Sequence, residues 1–176
     1  KEQDGWDEPD FLIDGRDWFD VTITTGPAKL ESQQQEPIRF MENFAVKTKT
    51  DLGRNTWVYD LGQNFSGIPV IKITGKYGDT IRMYCAELLN PDGTANQKAT
   101  GSPSYFTYIL NGKGEESWQP RFSYTGFRYI QVQGIAKDSM GTAPVVKDIY
   151  GLHARNSAAE IGSFNCSNEL FNKTNT

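Results

Sequence analysis

The chain has 176 residues, with 18 basic and 22 acidic side chains and a formal net charge of −4. That length suffices for one ordinary domain with a sizeable core and some flanking chain. The acidic balance argues against a nucleic-acid partner, because phosphate binding needs a basic surface. No stretch approaches the ~20 consecutive apolar residues of a membrane helix. We therefore expect neither nucleic acid nor membrane as a partner.

The composition favours β-structure. Ile, Val and Thr together number 34, whereas Ala and Leu number 19, and the chain has 17 glycines and 22 aromatic residues. β-branched and aromatic side chains suit a pleated, half-buried surface, and glycine marks turns. The composition alone therefore predicts an all-β domain.

Residues 1–36 open the chain without a clear hydrophobic period, although 11–13 and 21–23 could form short strands. Because the chain begins with Lys1 and not Met, we expect it to be a piece of a longer protein, and this segment to be the tail of a preceding module. Carboxylates suit calcium, but no D-x-D-x-D-G loop is present, and we favour a solvated surface segment. The eight acids of the first 20 residues are Glu2, Asp4, Asp7, Glu8, Asp10, Asp14, Asp17 and Asp20.

Short strands separated by turn residues follow from Ile38 onward. Glycine-bearing turns are expected at 75–79, 90–93 and 111–114. The regular spacing predicts an antiparallel, jelly-roll-like β-sandwich of about nine short strands over residues 37–156. The main expected strands are 38–47, 57–59, 68–74, 80–88, 105–110, 117–124, 127–132 and 145–153.

The last 20 residues differ from the rest. Ser167 can cap a helix that begins at Asn168. A helix shorter than about twelve residues is marginal in water by itself. We therefore expect residues 157–176 to be a linker and the start of a helical domain that this chain lacks.

Cys85 and Cys166 form no CxxC motif, so no zinc knuckle is indicated. They could form one long-range disulfide, but we favour two buried free thiols. His153, the one histidine, lies in a strand-like run without the signature of an orienting acid and a nucleophile. We favour a structural role for it, and no catalytic residue is predicted.

Polar residues with an aromatic neighbour gather at one predicted strand end. Trp57, Asp60, Gln63 and Asn64 have the residue types that bind the faces and hydroxyls of sugars. In a sandwich, however, most aromatic side chains belong to the core. These four residues are therefore candidates for carbohydrate binding or for domain docking.

Glu87 ends an apolar strand, where an inward carboxylate would need a partner, and Arg128 is a plausible one. The pair could bind a sugar, but we favour a structural salt bridge or hydrogen-bonded network. Trp118 and Tyr124 flank a further turn, and each of them could either face a sugar or belong to the core. Glycoside hydrolysis needs two converging carboxyl groups, which spacing in sequence cannot show.

Four segments, in the same order, carry a more specific signal. The segments are Tyr59–Gly67 (Y-D-L-G-Q-N-F-S-G), Ala86–Thr94 (A-E-L-L-N-P-D-G-T), Tyr108–Gly112 with Trp118–Tyr129, and Gly162–Asn168 (G-S-F-N-C-S-N). They resemble motifs of bacterial α-L-rhamnosidases of glycoside hydrolase family 78, and Pro37-Ile38-Arg39 fits the "P-I-R" that precedes the module there.

The resemblance implies a concanavalin-like β-sandwich placed before an (α/α)6 barrel that carries the general acid and base of an inverting hydrolysis. Nothing in this chain matches the barrel's acidic motifs, so we expect this chain alone to be inactive. Its expected role is to scaffold and dock the barrel, with Asp60, Gln63, Asn64 and Arg128 tying loops to the sandwich or to the barrel.

Two alternatives remain open. One is a binding module for rhamnose-containing oligosaccharides, with calcium as a conceivable cofactor. The other is an unrelated adhesion or interaction sandwich, because a fold does not fix a function. The resemblance also leads us to expect a secreted or periplasmic parent protein, with an intracellular rhamnosidase as the alternative.

Overall fold

The computed structural model describes residues 5–6, 8–13, 18–101, 103–138 and 140–174. Its internal contacts divide the chain into two units, residues 1–34 and 35–176. The described part of the first unit holds no strand and no helix, so the strands predicted at 11–13 and 21–23 are wrong. Leu12, Ile13, Val21 and Ile23 are exposed, and a lone strand without a hydrogen-bonded neighbour is unstable in water.

The second unit is the β-sandwich that the sequence predicts, and every strand pair in it is antiparallel. Its described residues form ten strands, one turn of 3-10 helix (Lys98–Thr100) and one short α-helix, against the nine or so strands expected. The strands are β1 (Ile38–Ala45), β2 (Thr48–Gly53), β3 (Thr56–Thr74), β4 (Thr80–Ala86), β5 (Leu88–Leu89), β6 (Ala95–Asn96), β7 (Phe106–Ile109), β8 (Glu115–Trp118), β9 (Thr125–Ile135) and β10 (Val145–Asn156).

β3 is a single strand of 19 residues where the sequence predicted two short ones, 57–59 and 68–74. Its first half pairs with β2 and β9, and its second half pairs with β10 and β8. The register against β9 shifts between Asp60 and Phe65. β3 therefore belongs to both layers and turns from one to the other at residues 61–64. The order across the curled sheet is β1-β10-β3-β9-β4-β7.

Glycine makes this turn feasible. Gly62 has a φ of +90°, a left-handed backbone that favours glycine, and an added Cβ would lie 2.9 Å from Cγ of Lys47. The Gly62 N–H donates to Oδ1 of Asp60 over 2.7 Å. Asp60 and Gly62 together fix the path along which β3 changes layer.

The core lies between the two layers. Along β4, Ile81 and Met83 are fully buried and alternate with partly exposed residues, as expected for a strand with one face in the core. The Phe65 ring stands 4.5 Å from the Phe44 ring and 4.7 Å from the Phe127 ring, measured between centroids. The other buried members of the cluster are Tyr59, Leu61, Ile71, Ile73, Leu110, Ile130, Val132 and Ile149.

The chain enters and leaves the sandwich at neighbouring positions. Ile38, at the start of β1, pairs with Asn156, at the end of β10. The pairing continues outside the strands, because the Ser157 N–H donates to the Pro37 carbonyl over 3.0 Å. The helix α1 (Glu169–Thr174) follows.

The C-terminal helix begins one residue later than expected. Its first N–H groups are met by Asn168, whose Oδ1 accepts the Leu170 N–H over 3.0 Å, so the predicted capping role of Ser167 is wrong. An Asn side chain serves this position as well as a Ser does. Among the described residues, no helix is long and apolar enough to cross a membrane.

Candidate functional site

Asp60 and Arg128 form a two-pronged ion pair at the turn of β3. Nε of Arg128 donates to Oδ1 of Asp60, and Nη2 donates to Oδ2, both over 2.8 Å. The hydrogen bonds from Arg128 are the main reason why the pKa of Asp60 lies below its ordinary value of 3.8. Since Oδ1 also accepts the Gly62 N–H, the carboxylate is fully engaged in holding the turn.

The expected pairing of Glu87 with Arg128 is wrong. β9 lies between β3 and β4, so Arg128 has acidic residues on both sides, and its guanidinium turns to Asp60. Oε1 of Glu87 instead accepts a hydrogen bond from Nδ2 of Asn64 over 3.0 Å. The sequence thus identified four residues that interact, but it assigned two of them the wrong partner.

Trp57 and Gln63 do not join these pairs. Trp57 is partly buried against the core, and Nζ of Lys49 lies 5.3 Å from its ring centroid. Gln63 is exposed at the turn, and its side chain makes no hydrogen bond within the described part of the chain. The structure therefore does not assemble Trp57, Asp60, Gln63 and Asn64 into one sugar-facing cluster.

A groove with a volume of about 390 Å³ opens beside Glu87. Leu88 comes from β5 and Thr125 from β9, Asn96 ends β6, and Lys98 comes from the loop that follows β6. That loop is held by Gln97, which donates to the carbonyls of Cys85 and Ser104. The groove combines a carboxylate, an ammonium group, an amide and a hydroxyl with apolar walls, and its volume lies in the range of small-ligand sites.

The second aromatic pair separates into one core residue and one surface residue. Trp118 packs against the core and stacks on Tyr108, with ring centroids 5.4 Å apart. Tyr124 is exposed, and so is Phe122, which the sequence did not single out. Phe122 has a φ of +60°, a left-handed backbone that L-residues other than Asn and Asp seldom adopt.

His153 and the cysteines occupy structural positions. Nδ1 of His153 lies 3.2 Å from Oε1 of Glu42, and the ring packs near Phe44 and Phe65. Both cysteines are free thiols, as favoured from the sequence, and both are partly buried. Burial raises the pKa of Cys85 to about 12.

No group of three or more His, Cys, Asp or Glu side chains that could hold a metal ion occurs among the described residues. Of the eight acids near the start, Glu8, Asp10 and Asp20 are described and exposed. The calcium hypothesis for this segment stays a prediction, because the other five acids lie outside the described residues. Those five are Glu2, Asp4, Asp7, Asp14 and Asp17.

Sequence reasoning missed two buried acids. Asp79 accepts the backbone N–H groups of Lys76 and Lys137. Glu116 accepts those of Asn111 and Gly112 and the hydroxyl of Tyr108. Each acid adjoins a glycine-bearing turn. Such turns leave N–H groups without strand partners, so an acid next to one could have been predicted to accept their hydrogen bonds.

The family model described as the bacterial alpha-L-rhamnosidase concanavalin-like domain matches residues 50–154. This chain belongs to that family. The matched residues cover the sandwich from β2 to β10 and include both polar pairs described above.

Three relatives illustrate the likeness. An α-L-rhamnosidase of Streptomyces avermitilis is 37% identical over 139 residues, which are 76% of this chain and 13% of that protein. The structure of α-L-rhamnosidase from Dictyoglumus thermophilum superposes with a TM-score of 0.81 at 36% identity, covering 98% of this chain and 19% of that one. The structure of Streptomyces avermitilis α-L-rhamnosidase complexed with L-rhamnose superposes with a TM-score of 0.75 at 33% identity. The match covers 90% of this chain and 15% of that one.

This concanavalin-like domain therefore spans less than a fifth of the length of these relatives. Its described residues bring together one ion pair, Asp60 with Arg128, and one amide–carboxylate pair, Asn64 with Glu87, and not two carboxyl groups facing each other across a cleft. Asp60 accepts hydrogen bonds from Arg128 on the neighbouring strand β9, and Glu87 accepts one from Asn64 on β3.

Proposed function

We propose that this chain is the non-catalytic β-sandwich module of an α-L-rhamnosidase, and that it scaffolds and docks the catalytic domain of the same polypeptide. The observation that carries the proposal is the engagement of Asp60 by Arg128 and Gly62. A general acid or base must be free to exchange a proton with substrate. A carboxylate whose pKa is lowered and whose oxygens already accept three hydrogen bonds is suited to holding a turn.

Catalytic activity provides the first test. The isolated chain and the full-length polypeptide that contains it are assayed with an aryl α-L-rhamnoside. We expect hydrolysis by the full-length protein and none by the chain alone. Turnover by the isolated chain, surviving a second purification step, would refute the non-catalytic role.

Arg128 provides the second test. In the full-length protein, Arg128→Ala should lower the melting temperature and leave the KM for rhamnoside unchanged, because the guanidinium holds a turn and does not touch substrate. Arg128→Lys is the matched control, since it keeps the charge and loses the two-pronged geometry. A raised KM at an unchanged melting temperature would contradict the scaffolding role.

The groove beside Glu87 supports a second candidate function, the binding of rhamnose-containing oligosaccharides. Its mixture of hydrogen-bonding groups and apolar walls suits a sugar with one methyl substituent. An NMR titration of the chain with L-rhamnose, with and without calcium, tests it. Saturable shifts around Glu87 that Glu87→Gln abolishes, and that the exposed control Glu115→Gln retains, would favour binding. Unchanged spectra at high millimolar sugar would exclude it.

The proposed substrate class also suggests where the parent protein acts. Rhamnosides of plant polysaccharides lie outside the cell, so we propose a secreted or periplasmic protein. Fractionation of the native source with an antibody against this chain tests the location, and recovery in the cytoplasm alone would contradict it.

A further inference from the structure

The turn between β7 and β8 contains the one Asn–Gly pair of the sequence, Asn111-Gly112. Asparagine followed by glycine is prone to spontaneous deamidation, because glycine has no Cβ to hinder the attack of its own nitrogen on the preceding side chain. Asn111 is exposed, so its side-chain amide is accessible to water. The pair therefore has the chemistry of a modification site.

Deamidation of this pair needs only water as a co-reactant. The nitrogen of Gly112 gives up its proton and bonds to Cγ of Asn111, which closes a five-membered succinimide ring and releases the side-chain nitrogen as ammonia. Water then opens the ring at either of its two carbonyl groups, and the product is aspartate or isoaspartate in place of Asn111. The rate depends on how readily the Gly112 nitrogen loses its proton and on how closely it approaches Cγ.

Glu116 opposes the loss of that proton. The Gly112 N–H donates to Oε1 of Glu116 over 2.9 Å, and the Asn111 N–H donates to Oε2 over 2.9 Å. The carboxylate is 8% exposed and also accepts the Tyr108 hydroxyl, so it is fixed in place. A deprotonated Gly112 nitrogen would lie next to this carboxylate, and two negative charges at hydrogen-bond distance repel strongly where little water screens them.

The turn also restrains the two groups that must meet. Oδ1 of Asn111 accepts the Lys113 N–H over 2.8 Å, which holds the side chain in an Asx turn. The Gly112 backbone lies so close to Tyr77 that an added Cβ would stand 2.4 Å from the Tyr77 nitrogen. Bringing the Gly112 nitrogen onto Cγ of Asn111 therefore disturbs contacts that the folded turn already makes.

We infer that Asn111-Gly112 is a deamidation site, which Glu116 keeps unreacted in the folded chain and which reacts when the turn between β7 and β8 opens. The inference goes beyond the proposed function and gives this buried acid a chemical role. Isoaspartate adds a carbon to the backbone, and either product adds a negative charge beside Glu116. Deamidation thus converts a transient opening of the turn into a permanent change.

The first test compares the folded chain with the same chain unfolded in guanidinium chloride, both kept in mildly alkaline buffer. Peptide mapping by mass spectrometry measures the fraction of Asn111 converted, and chromatography separates the isoaspartyl peptide. We expect Asn111 to react about tenfold to a hundredfold more slowly in the folded chain, because the Gly112 N–H must first leave a charged acceptor. Equal rates in the two states would refute the inference.

The second test separates Glu116 from folding in general. Glu116→Gln removes the charge and leaves one oxygen for two backbone N–H groups, whereas the matched control Glu115→Gln changes an exposed neighbour on the same strand. We expect Glu116→Gln to raise the rate at Asn111 in the folded chain by about tenfold and Glu115→Gln to leave it unchanged. An unchanged rate in a Glu116→Gln chain whose circular dichroism is native would overturn the role of Glu116.

Amide hydrogen exchange of the wild-type chain decides the matter if Glu116→Gln does not fold. Exchange of the Gly112 N–H requires the same loss of a proton, so we expect it to be slowed as strongly as deamidation is. Exchange at the rate of the unfolded chain would contradict the inference. None of these measurements depends on docking or on rhamnoside hydrolysis, so this inference and the proposed function can fail separately.

Discussion

One buried and one half-buried tyrosine should respond in opposite directions to the same substitution. The Tyr59 side chain is 4% exposed, its hydroxyl has no hydrogen-bond partner among the described residues, and burial raises its pKa to about 12. The Tyr108 hydroxyl donates to Oε2 of Glu116 over 2.6 Å. Replacement by Phe removes one oxygen in each case, so the pair compares a hydroxyl without a partner with a hydroxyl that is hydrogen-bonded.

The magnitudes follow from these contacts. A buried hydroxyl without a partner costs about 1–3 kcal/mol, and part of the gain from its removal is offset by the small void that is left. We therefore expect Tyr59→Phe to raise the free energy of unfolding by about 1 kcal/mol. A hydrogen bond to a carboxylate contributes about 1.5–3 kcal/mol, so Tyr108→Phe should lower the free energy of unfolding by that amount.

Urea unfolding of the isolated chain measures both changes, and the slope of the transition must stay constant for the comparison to hold. The reasoning would be refuted if Tyr59→Phe destabilised the chain as much as Tyr108→Phe does. That result would mean that the Tyr59 hydroxyl is hydrogen-bonded in the folded protein.

Three further predictions follow from the geometry. The pKa of Asp60 is lowered, mainly by Arg128, so its contribution to stability is complete above the ordinary value of 3.8 and is lost as the pH falls through the lowered pKa. The stability difference between wild type and Asp60→Asn, measured by urea unfolding, should therefore shrink in acid. Gly151→Ala should destabilise the chain by about 1–3 kcal/mol, because the added methyl group would overlap the Phe65 ring. Cys85 should react with iodoacetamide at pH 8 roughly a thousandfold more slowly than an ordinary thiol, because a pKa of about 12 leaves almost no thiolate.

Two of these predictions have a control within the chain. Gly26→Ala places a methyl group where no atom lies within 4 Å and should leave stability unchanged. Peptide mapping by mass spectrometry reports Cys85 and Cys166 in the same sample. Equal labelling of the two thiols, a tolerated Gly151→Ala, or a stability difference for Asp60→Asn that is constant with pH would each contradict its prediction.

The sequence predicts the fold class well because its signals are local. Alternation such as Ile81 and Met83 in β4 and the Gly-bearing turns require only neighbouring residues, and both appear in the structure as expected. The length of β3 was not predictable in this way. The polar run Gly62-Gln63-Asn64 has the composition of a loop and has no strand partner of its own among the described residues, yet β3 resumes at Phe65 because β9 pairs with it before and after the run.

Partnerships between distant residues were harder to predict than the residues themselves. Asp60, Asn64, Glu87 and Arg128 were recognised from their types and their places at strand ends, and all four are paired. Which acid meets Arg128 depends on the order of strands in the sheet, and the sequence contains no local signal for that order. The exposed ring of Phe122 was missed for a related reason, since aromatic residues in a sandwich are expected in the core.

The side-by-side position of Ile38 and Asn156 has a consequence for how such a domain is combined with others. The segments before and after the sandwich join it on two paired strands, so the polypeptide enters and leaves the domain at nearly the same place. A unit of this kind can be inserted into a longer protein, or exchanged for a homologous unit, while the flanking segments keep nearly the same separation. In a chimaeric protein that exchanges this domain for a homologous one, the two junctions would lie next to Pro37 and Ser157.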